Sequence, residues 1–235
     1  MVGEVEPLKK LQYKRNKTVI KRIVNEYPGY ILRRGDTFYR LRKSPKSPHN
    51  HAEYDSPPVD MGGCGRFNCS DFPVLYASTD LEVCVHECRF SASDDIYMAT
   101  LTPDSFIRLL DLSAILDDDE TEFESLDMAI HMLFLAGEKS YRICQQIALA
   151  AKLAGFDGLI YPSYYSLIRA GIMPLQTAYG ISIRRFRGAK NYNEASAIKN
   201  VALFGRPIED RTVLVKCINR LVIAQVKYGF IFGPV

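Results

Sequence analysis

The chain has 235 residues, of which 47% are hydrophobic and 24% are charged, and its formal net charge is +3. This balance is typical of a soluble globular protein with a sizeable core. No stretch reaches the roughly 18 apolar residues of a membrane helix, and the first residues lack the apolar segment of a signal peptide. We therefore expect no membrane partner and a cytoplasmic location. The protein would act in its own cell or in a target cell into which a dedicated secretion system delivers it.

The N-terminal part of the chain is basic. Residues 1–46 contain thirteen Lys or Arg and only four acidic residues, and we assign residues 1–35 to a basic helical extension. A basic arm can bind nucleic acid or an acidic protein, which keeps a non-enzymatic nucleic-acid-binding or adaptor function open. The second interpretation is an amphipathic helix on the core, because Val19 and Ile23 recur at helical spacing. We favour this second interpretation and expect nucleic-acid contact only through a partner.

After this helix, Pro28-Gly29 marks a turn, and TFYRLRK predicts the first strand, which contains Arg40. A stretch rich in Pro, Ser and Gly follows and leads directly to Arg66. Its length exceeds that of a tight turn, which indicates a functional loop. FPVLYA, which ends just after Tyr76, is typical of a buried strand.

The next segment predicts a helix that carries a carboxylate. Thr79 and Glu82 have the spacing of a capping box, so the helix is expected to begin at Thr79. Glu87 then falls on the same face as Val83 and Cys84. A carboxylate on an apolar face either pairs with an arginine or lines a cavity that water and ligand can enter.

The remaining pattern interleaves strands and helices without a regular βαβ rhythm, which favours a mixed α+β domain. Gly155 is placed as the left-handed residue that ends the second of two helices. The predicted strands are IYMATLTP, FIRLLDL, FDGLIYPS, ISIRRF, KNVALFG, RTVLVKCINRL and AQVKYGFIFG, and the predicted helices are DMAIHMLFLAG and SYRICQQIALAAKLAG.

Several of these motifs together resemble the RES domain family, which is named for an arginine, a glutamate and a serine. The resemblance covers roughly residues 36–210 and leaves 211–235 as a C-terminal strand extension packed on the same domain. The motifs that carry it are FYRLR with Arg40, GRFN with Arg66, VLYAS with Tyr76, HE with Glu87, DGLIYPS with Ser163, and NVALFG with Asn200.

The resemblance implies an ADP-ribosyltransferase-like fold with split β-sheets and flanking helices, and a toxin that degrades NAD. It also implies a cognate antitoxin or immunity protein as partner, and NAD as substrate with no prosthetic group. The implied products are those of hydrolysis or phosphorolysis at the nicotinamide–ribose bond, with ADP-ribosyl transfer to a protein as the alternative.

The resemblance also assigns roles to the motif residues. Glu87 would stabilise the positive charge that develops on the ribose, and Ser163 would offer a hydroxyl beside it. Arg40 and Arg66 would hold the pyrophosphate, and Tyr76 would contact the nicotinamide. Asn200 is a further NAD-binding candidate.

Two points stay open. The chain between Ser163 and Asn200 is long, so Ser166 or Ser196 can fill the serine position instead. The six cysteines suit reduced thiols, and a zinc site that uses Cys64, Cys69, Cys84, Cys88 and nearby histidines is a rival interpretation that we do not favour. The sequence lacks the signatures of several other sites. These are a thiol–histidine catalytic pair, a zinc protease, and a Rossmann or P-loop nucleotide site.

Overall fold

The computed structural model describes residues 16–61, 63–69, 71–88, 90, 93–114, 116, 126–163, 177–178, 181–182 and 198–224. The described helices are α1 Lys17–Glu26, α2 Leu81–Cys88, α3 Leu126–Leu135 and α4 Tyr141–Leu153, with short 3-10 turns at His51–Tyr54, Val59–Met61 and Gly137–Ser140. The described strands are β1 Gly29–Leu32, β2 Phe38–Lys43, β3 Val74–Ser78, β4 Ile96–Pro103, β5 Ile107–Asp111, β6 Gly158–Pro162, β7 Thr177–Ala178, β8 Ile181–Ser182, β9 Lys199–Phe204 and β10 Val213–Leu221.

Eight of these strands form one sheet in the order β1-β5-β6-β9-β3-β2-β4-β10. The β5–β6 pair is parallel and the other neighbours are antiparallel. Strands β2 and β3 share a single register pair, Tyr39 with Ser78. The sheet is therefore split into a five-stranded half (β1, β5, β6, β9, β3) and a three-stranded half (β2, β4, β10).

Two apolar clusters cover the two faces of the five-stranded half, because successive side chains of a strand point to opposite faces. Leu110 belongs to the cluster that α1, α3 and α4 cover, whereas Leu109 belongs to the cluster on the other face. Helix α1 buries Val19, Ile20 and Ile23 against the first cluster. The basic N-terminal segment thus contributes an amphipathic helix to the core from residue 17 onward.

Most predicted elements are present among the described residues, with two differences. Strand β1 was not predicted, because its four residues GYIL are too few to show a period, and three of them are exposed. Helix α2 is capped by Asp80, whose Oδ1 accepts a bond from Val83 N at 3.0 Å. Thr79 instead donates its hydroxyl to Lys199 O at 3.1 Å, so the predicted threonine cap is wrong.

Helix α4 ends as its sequence predicts. Gly155 adopts φ +84°, and Phe156 N bonds to Ala151 O at 3.1 Å across the helix end. The predicted strands AQVKYGFIFG beyond residue 224 and ISIRRF beyond residue 182 lie outside the described residues. Residues 16–32 pack into the same core as the sheet, and the domain boundaries at 35 and 210 stay predictions.

Candidate functional site

Glu87 lies on the last turn of α2, the helix that follows β3. The buried side chains of this helix are Val83 and Cys84, and the Cys84 thiol lies 3.1 Å from Tyr39 O on β2. Glu87 itself is exposed, which differs from its predicted place on the apolar face. The apolar contact of α2 ends before Glu87, so the carboxylate remains open to solvent and to a ligand.

Two buried polar side chains meet this carboxylate from the sheet. Asn200 lies on β9, and Ser163 follows the end of β6, whose neighbour in the sheet is β9. Both side chains are about 2% exposed. Because Tyr161 pairs with Asn200 in register, Ser163 and Asn200 come out at the same end of these strands and on the same face.

Both side chains donate to the same oxygen of Glu87. Ser163 Oγ lies 2.6 Å and Asn200 Nδ2 lies 3.0 Å from Glu87 Oε1. We call these three residues the Glu87 cluster. Within the described part of the chain, Glu87 Oε2 has no hydrogen-bond partner and neither has the buried Asn200 Oδ1. The cluster therefore orients the carboxylate and leaves two acceptor atoms for a ligand.

Arg66 lies in the loop before β3, in a turn that we call the Arg66 turn (Gly65 to Asn68). Its Nη1 donates to Phe134 O at 3.0 Å. The guanidinium also lies 5.5 Å from the ring centroid of Phe134 and 5.7 Å from that of Tyr141. These contacts fix the guanidinium at the junction of α3 and α4 and leave further N–H groups for an anion.

Tyr76 uses its hydroxyl within the protein. The hydroxyl accepts from Phe67 N at 2.9 Å and donates to Asn68 Oδ1 at 2.8 Å. Burial raises the pKa of the Tyr76 phenol to about 12, so it is neutral at ordinary pH. The contact of Tyr76 with nicotinamide stays a prediction. In the structure, the Tyr76 hydroxyl binds two residues of the Arg66 turn.

Arg40 lies on β2 and faces backbone carbonyls. It donates to Tyr54 O at 3.0 Å, to Tyr76 O at 2.6 Å and to Asp55 O at 3.4 Å. Burial, together with the neighbouring Arg42, lowers the pKa of the Arg40 guanidinium to about 10. Arg40 thus links β2 to β3 and to the loop after β2, and its predicted contact with pyrophosphate is untested.

Tyr161 is a site residue that the sequence reading missed. It pairs with Asn200 in the register of β6 and β9, and its ring centroid lies 5.0 Å from that of Phe67 in the Arg66 turn. Tyr161 is therefore next to both the Glu87 cluster and the Arg66 turn, and burial raises the pKa of its phenol well above the ordinary value. The available signal was its position two residues before Ser163, which places both side chains on one face of β6.

The rival sites have little support among the described residues. No group of three or more His, Cys, Asp or Glu within the described ranges could hold a metal ion. Burial raises the pKa of Cys84 to about 12 and that of Cys144 to about 11, so both are neutral thiols.

Ser166 and Ser196 lie outside the described residues, whereas Ser163 contacts Glu87 directly. None of the described helices has the length and hydropathy of a membrane span.

Comparisons with known proteins identify the family and the fold. The model of the RES domain family matches residues 37–170, more than half of the chain. The fold is similar to a chain in the crystal structure of the M. tuberculosis MbcT–MbcA toxin–antitoxin complex, with a TM-score of 0.51 and 13% identity over 88% of this chain and 93% of that chain. No curated protein matches the sequence. The predicted α+β, ADP-ribosyltransferase-like fold class is confirmed.

Proposed function

This chain belongs to the RES domain family, and from that membership we propose that it is an NAD-consuming toxin that cleaves the nicotinamide–ribose bond. The supporting observation is the Glu87 cluster. One carboxylate oxygen is held by a serine and an amide at 2.6 and 3.0 Å, and the exposed carboxylate keeps its second oxygen for a ligand.

The chemistry explains why such a carboxylate is useful. As the bond between ribose C1′ and the nicotinamide nitrogen breaks, the electron pair leaves with nicotinamide and positive charge develops on C1′. Glu87 Oε2 would stabilise that charge more strongly in the transition state than in the ground state. A water oxygen then bonds to C1′ and releases its proton, which gives ADP-ribose and neutral nicotinamide.

The other residues would bind the substrate. Arg66 has guanidinium N–H groups beyond the one that Phe134 O accepts, and these would bind the pyrophosphate. Asn200 Oδ1, buried and without a partner in the described part of the chain, would accept a ribose hydroxyl. Tyr76 and Tyr161 would form the neutral wall beside the nicotinamide, and Arg40 would support Tyr76 through its carbonyl.

The acceptor is a separate part of the proposal. Water is our first choice because the Glu87 carboxylate is exposed, and phosphate or a protein side chain would react at the same carbon. NAD labelled in the adenine ring distinguishes the three. The label would appear in free ADP-ribose, in a phosphorylated ADP-ribose, or in a macromolecule.

We also propose a cognate antitoxin or immunity protein, in keeping with the toxin–antitoxin complex that contains the similar fold. The toxin would act in a cytoplasm, because NAD depletion needs access to the cellular pool. Co-expression with the product of an adjacent small reading frame would relieve growth arrest. Growth arrest that every adjacent product leaves unchanged would contradict this part.

The central experiment mixes purified protein with NAD and follows nicotinamide release. Glu87→Gln keeps the side-chain volume and removes the charge, so release is expected to fall about 10²- to 10³-fold. Glu82→Gln, on the same helix but in its first turn, is the matched control and is expected to behave as wild type. Absence of release from wild type, or equal release from Glu87→Gln, would overturn the proposed activity.

A further inference from the structure

The Arg66 turn is tied to helix α4 by one glutamine. Gln145 Nε2 donates to two carbonyls of this turn, Gly65 O at 2.9 Å and Asn68 O at 3.0 Å. Gly65 N also bonds to Asn68 O at 3.2 Å, which closes the turn on itself. A single amide group from 77 residues away in the chain thus satisfies the two carbonyls that flank Arg66 and Phe67.

The Asn68 side chain, at the end of this turn, binds the residues before and after it in the chain. Its Nδ2 donates to Gly63 O, and its Oδ1 accepts from the Tyr76 hydroxyl at 2.8 Å. The Tyr76 hydroxyl accepts in turn from Phe67 N at 2.9 Å. Every polar atom of these two side chains is therefore used to fix backbone around Arg66.

Gly65 leaves no room for a larger residue at this point. A Cβ atom there would lie 2.3 Å from Asn68 Oδ1 and 3.3 Å from the Tyr76 hydroxyl oxygen. Real Cβ atoms do not approach other atoms so closely, so even alanine would displace the Asn68 amide from Tyr76. The absence of a side chain at Gly65 thus allows Asn68 and Tyr76 to bond to each other, while Gln145 binds the carbonyls of the turn.

We propose that Gln145 and Asn68, together with Tyr76, are positioning residues that hold the Arg66 turn so that Arg66 presents its guanidinium to the substrate's pyrophosphate; this rests on the proposed NAD-cleaving function. The hydrogen bonds of Gln145 and Asn68 go to Gly63, Gly65, Asn68 and Tyr76 and not to the Glu87 cluster, so their proposed effect acts through Arg66. We call the hydrogen bonds from Gln145, Asn68 and Tyr76 to this turn the clamp. Loss of the clamp lowers the affinity for the pyrophosphate and leaves the step at ribose C1′ intact.

A purely structural role is the competing explanation, since Phe67 in the same turn is fully buried in the main apolar cluster. The two explanations differ in what they do to a substrate that lacks pyrophosphate. A misplaced Arg66 impairs cleavage of NAD only, because nicotinamide riboside has no anion for it to bind. A loosened core impairs cleavage of both substrates.

The test compares two adjacent glutamines of α4. Gln145→Met removes the donor to both carbonyls while keeping the side-chain length. Gln146→Met is the matched control, since Gln146 binds Asn16 of the N-terminal region and not the Arg66 turn. For Gln145→Met we expect the KM for NAD to rise roughly ten-fold with kcat within about two-fold, and cleavage of nicotinamide riboside to be unchanged. Gln146→Met is expected to match wild type with both substrates.

Gly65→Ala is the second variant, because it disturbs the clamp without removing a polar group. The same selective rise in the KM for NAD is expected. Unchanged KM in both variants, or an equal loss for NAD and nicotinamide riboside, would overturn the positioning role while leaving NAD cleavage by wild type in place.

If wild type releases no nicotinamide, the proposed activity fails by itself, and calorimetry with ADP-ribose then decides the positioning role. Weaker ADP-ribose binding by Gln145→Met than by Gln146→Met supports it. Equal binding, or no binding by wild type, overturns it.

Discussion

The Glu87 cluster and the Arg66 turn are built in opposite ways. In the Glu87 cluster, side chains from three separate elements meet at one oxygen atom, with no backbone atom involved. In the Arg66 turn, side chains bind backbone carbonyls and an amide, and the Arg66 guanidinium donates to a further backbone carbonyl, Phe134 O. A ligand that reaches both regions would thus meet a carboxylate oriented by two side chains and a guanidinium held by a backbone carbonyl, two aromatic rings and its own fixed main chain.

This difference predicts a separation of effects. Under the proposed function, changes in the Glu87 cluster alter the charge that faces the reacting carbon, and we expect them to lower kcat. Changes in or around Arg66 alter an anion contact far from the breaking bond, and we expect them to raise KM. The following predictions test that separation, beginning with the largest effect.

After Glu87→Gln, Asn200→Asp is expected to give the largest loss in the Glu87 cluster, about 10²-fold in kcat at pH 7. The change is isosteric but places a second carboxylate about 3 Å from Glu87 Oε1. Two carboxylates at this distance share one proton, and the shared proton restores a donor to Glu87 at lower pH. A pH–rate profile should therefore show partial recovery toward pH 5, with KM little changed. A profile parallel to that of wild type would contradict the role of Asn200 as a donor to Glu87.

Arg66→Gln is expected to raise the KM for NAD about 10- to 50-fold, since a charge-assisted hydrogen bond to an anion contributes about 1.5–3 kcal/mol. The value of kcat should change less than about three-fold. Steady-state kinetics with NAD measure both constants. Arg22→Gln, at a half-buried, ion-paired arginine on α1, is the control for loss of one positive charge. If Arg66→Gln lowers kcat and leaves KM unchanged, the predicted separation between the Arg66 turn and the Glu87 cluster is wrong.

Ser163→Ala removes one of the two donors to Glu87 Oε1 and is expected to lower kcat about ten-fold. Ser140→Ala removes a buried serine that donates to Gly137 O at 2.7 Å, away from the Glu87 cluster. This control is expected to lower the melting temperature without changing kcat at a temperature where the protein is folded. Equal effects of the two substitutions would show that Ser163 acts on stability alone.

The smallest effect concerns stability at alkaline pH. The folded-state pKa of Tyr76 is raised from 10.0 to about 12, so the unfolded chain releases this proton first. The stabilisation is complete below pH 10 and is lost as pH rises toward 12. Tyr76→Phe removes this titration, so its free energy of unfolding should fall about 1 kcal/mol less than that of wild type across the window. The lowered pKa of Arg40 acts in both proteins and cancels in the comparison. Urea unfolding at pH 9.5, 10.5 and 11.5 measures the slopes.

The sequence predicts the parts of these regions better than their assembly. Glu87, Ser163 and Asn200 each stand out in a short motif, and strand alternation places Asn200 and Ser163 on one face. Their meeting with Glu87 depends on how α2 lies against the sheet, which helical periodicity alone does not give. For the same reason, periodicity placed Glu87 on an apolar face, although the contact of α2 with the core ends one turn earlier.

The Arg66 turn is harder to predict, because its partners are distant in the chain. Nothing near GRFN indicates that Gln145 supplies the missing donor, and a glutamine in an amphipathic helix looks like an ordinary surface residue. Tyr76 illustrates the same limit of local patterns. A tyrosine at the end of a strand suggests a ring for stacking, whereas its hydroxyl is fully used by Phe67 and Asn68.

The single register pair between β2 and β3 has a mechanical consequence for both regions. The Arg66 turn leads into β3, and Glu87 lies on the helix that leaves β3, so both are attached to the strand at the seam. Ladder bonds join the strands along the rest of the sheet, whereas β2 and β3 are joined by the Tyr39–Ser78 pair, by the bond from Arg40 to Tyr76 O, and by the packing of Phe38 and Leu75 in one apolar cluster. The seam between the two halves therefore depends on side chains more than the rest of the sheet does. Arg40→Met removes one of these side-chain links, and we expect amide exchange to rise along the facing edges of β2 and β3 before it rises inside either half.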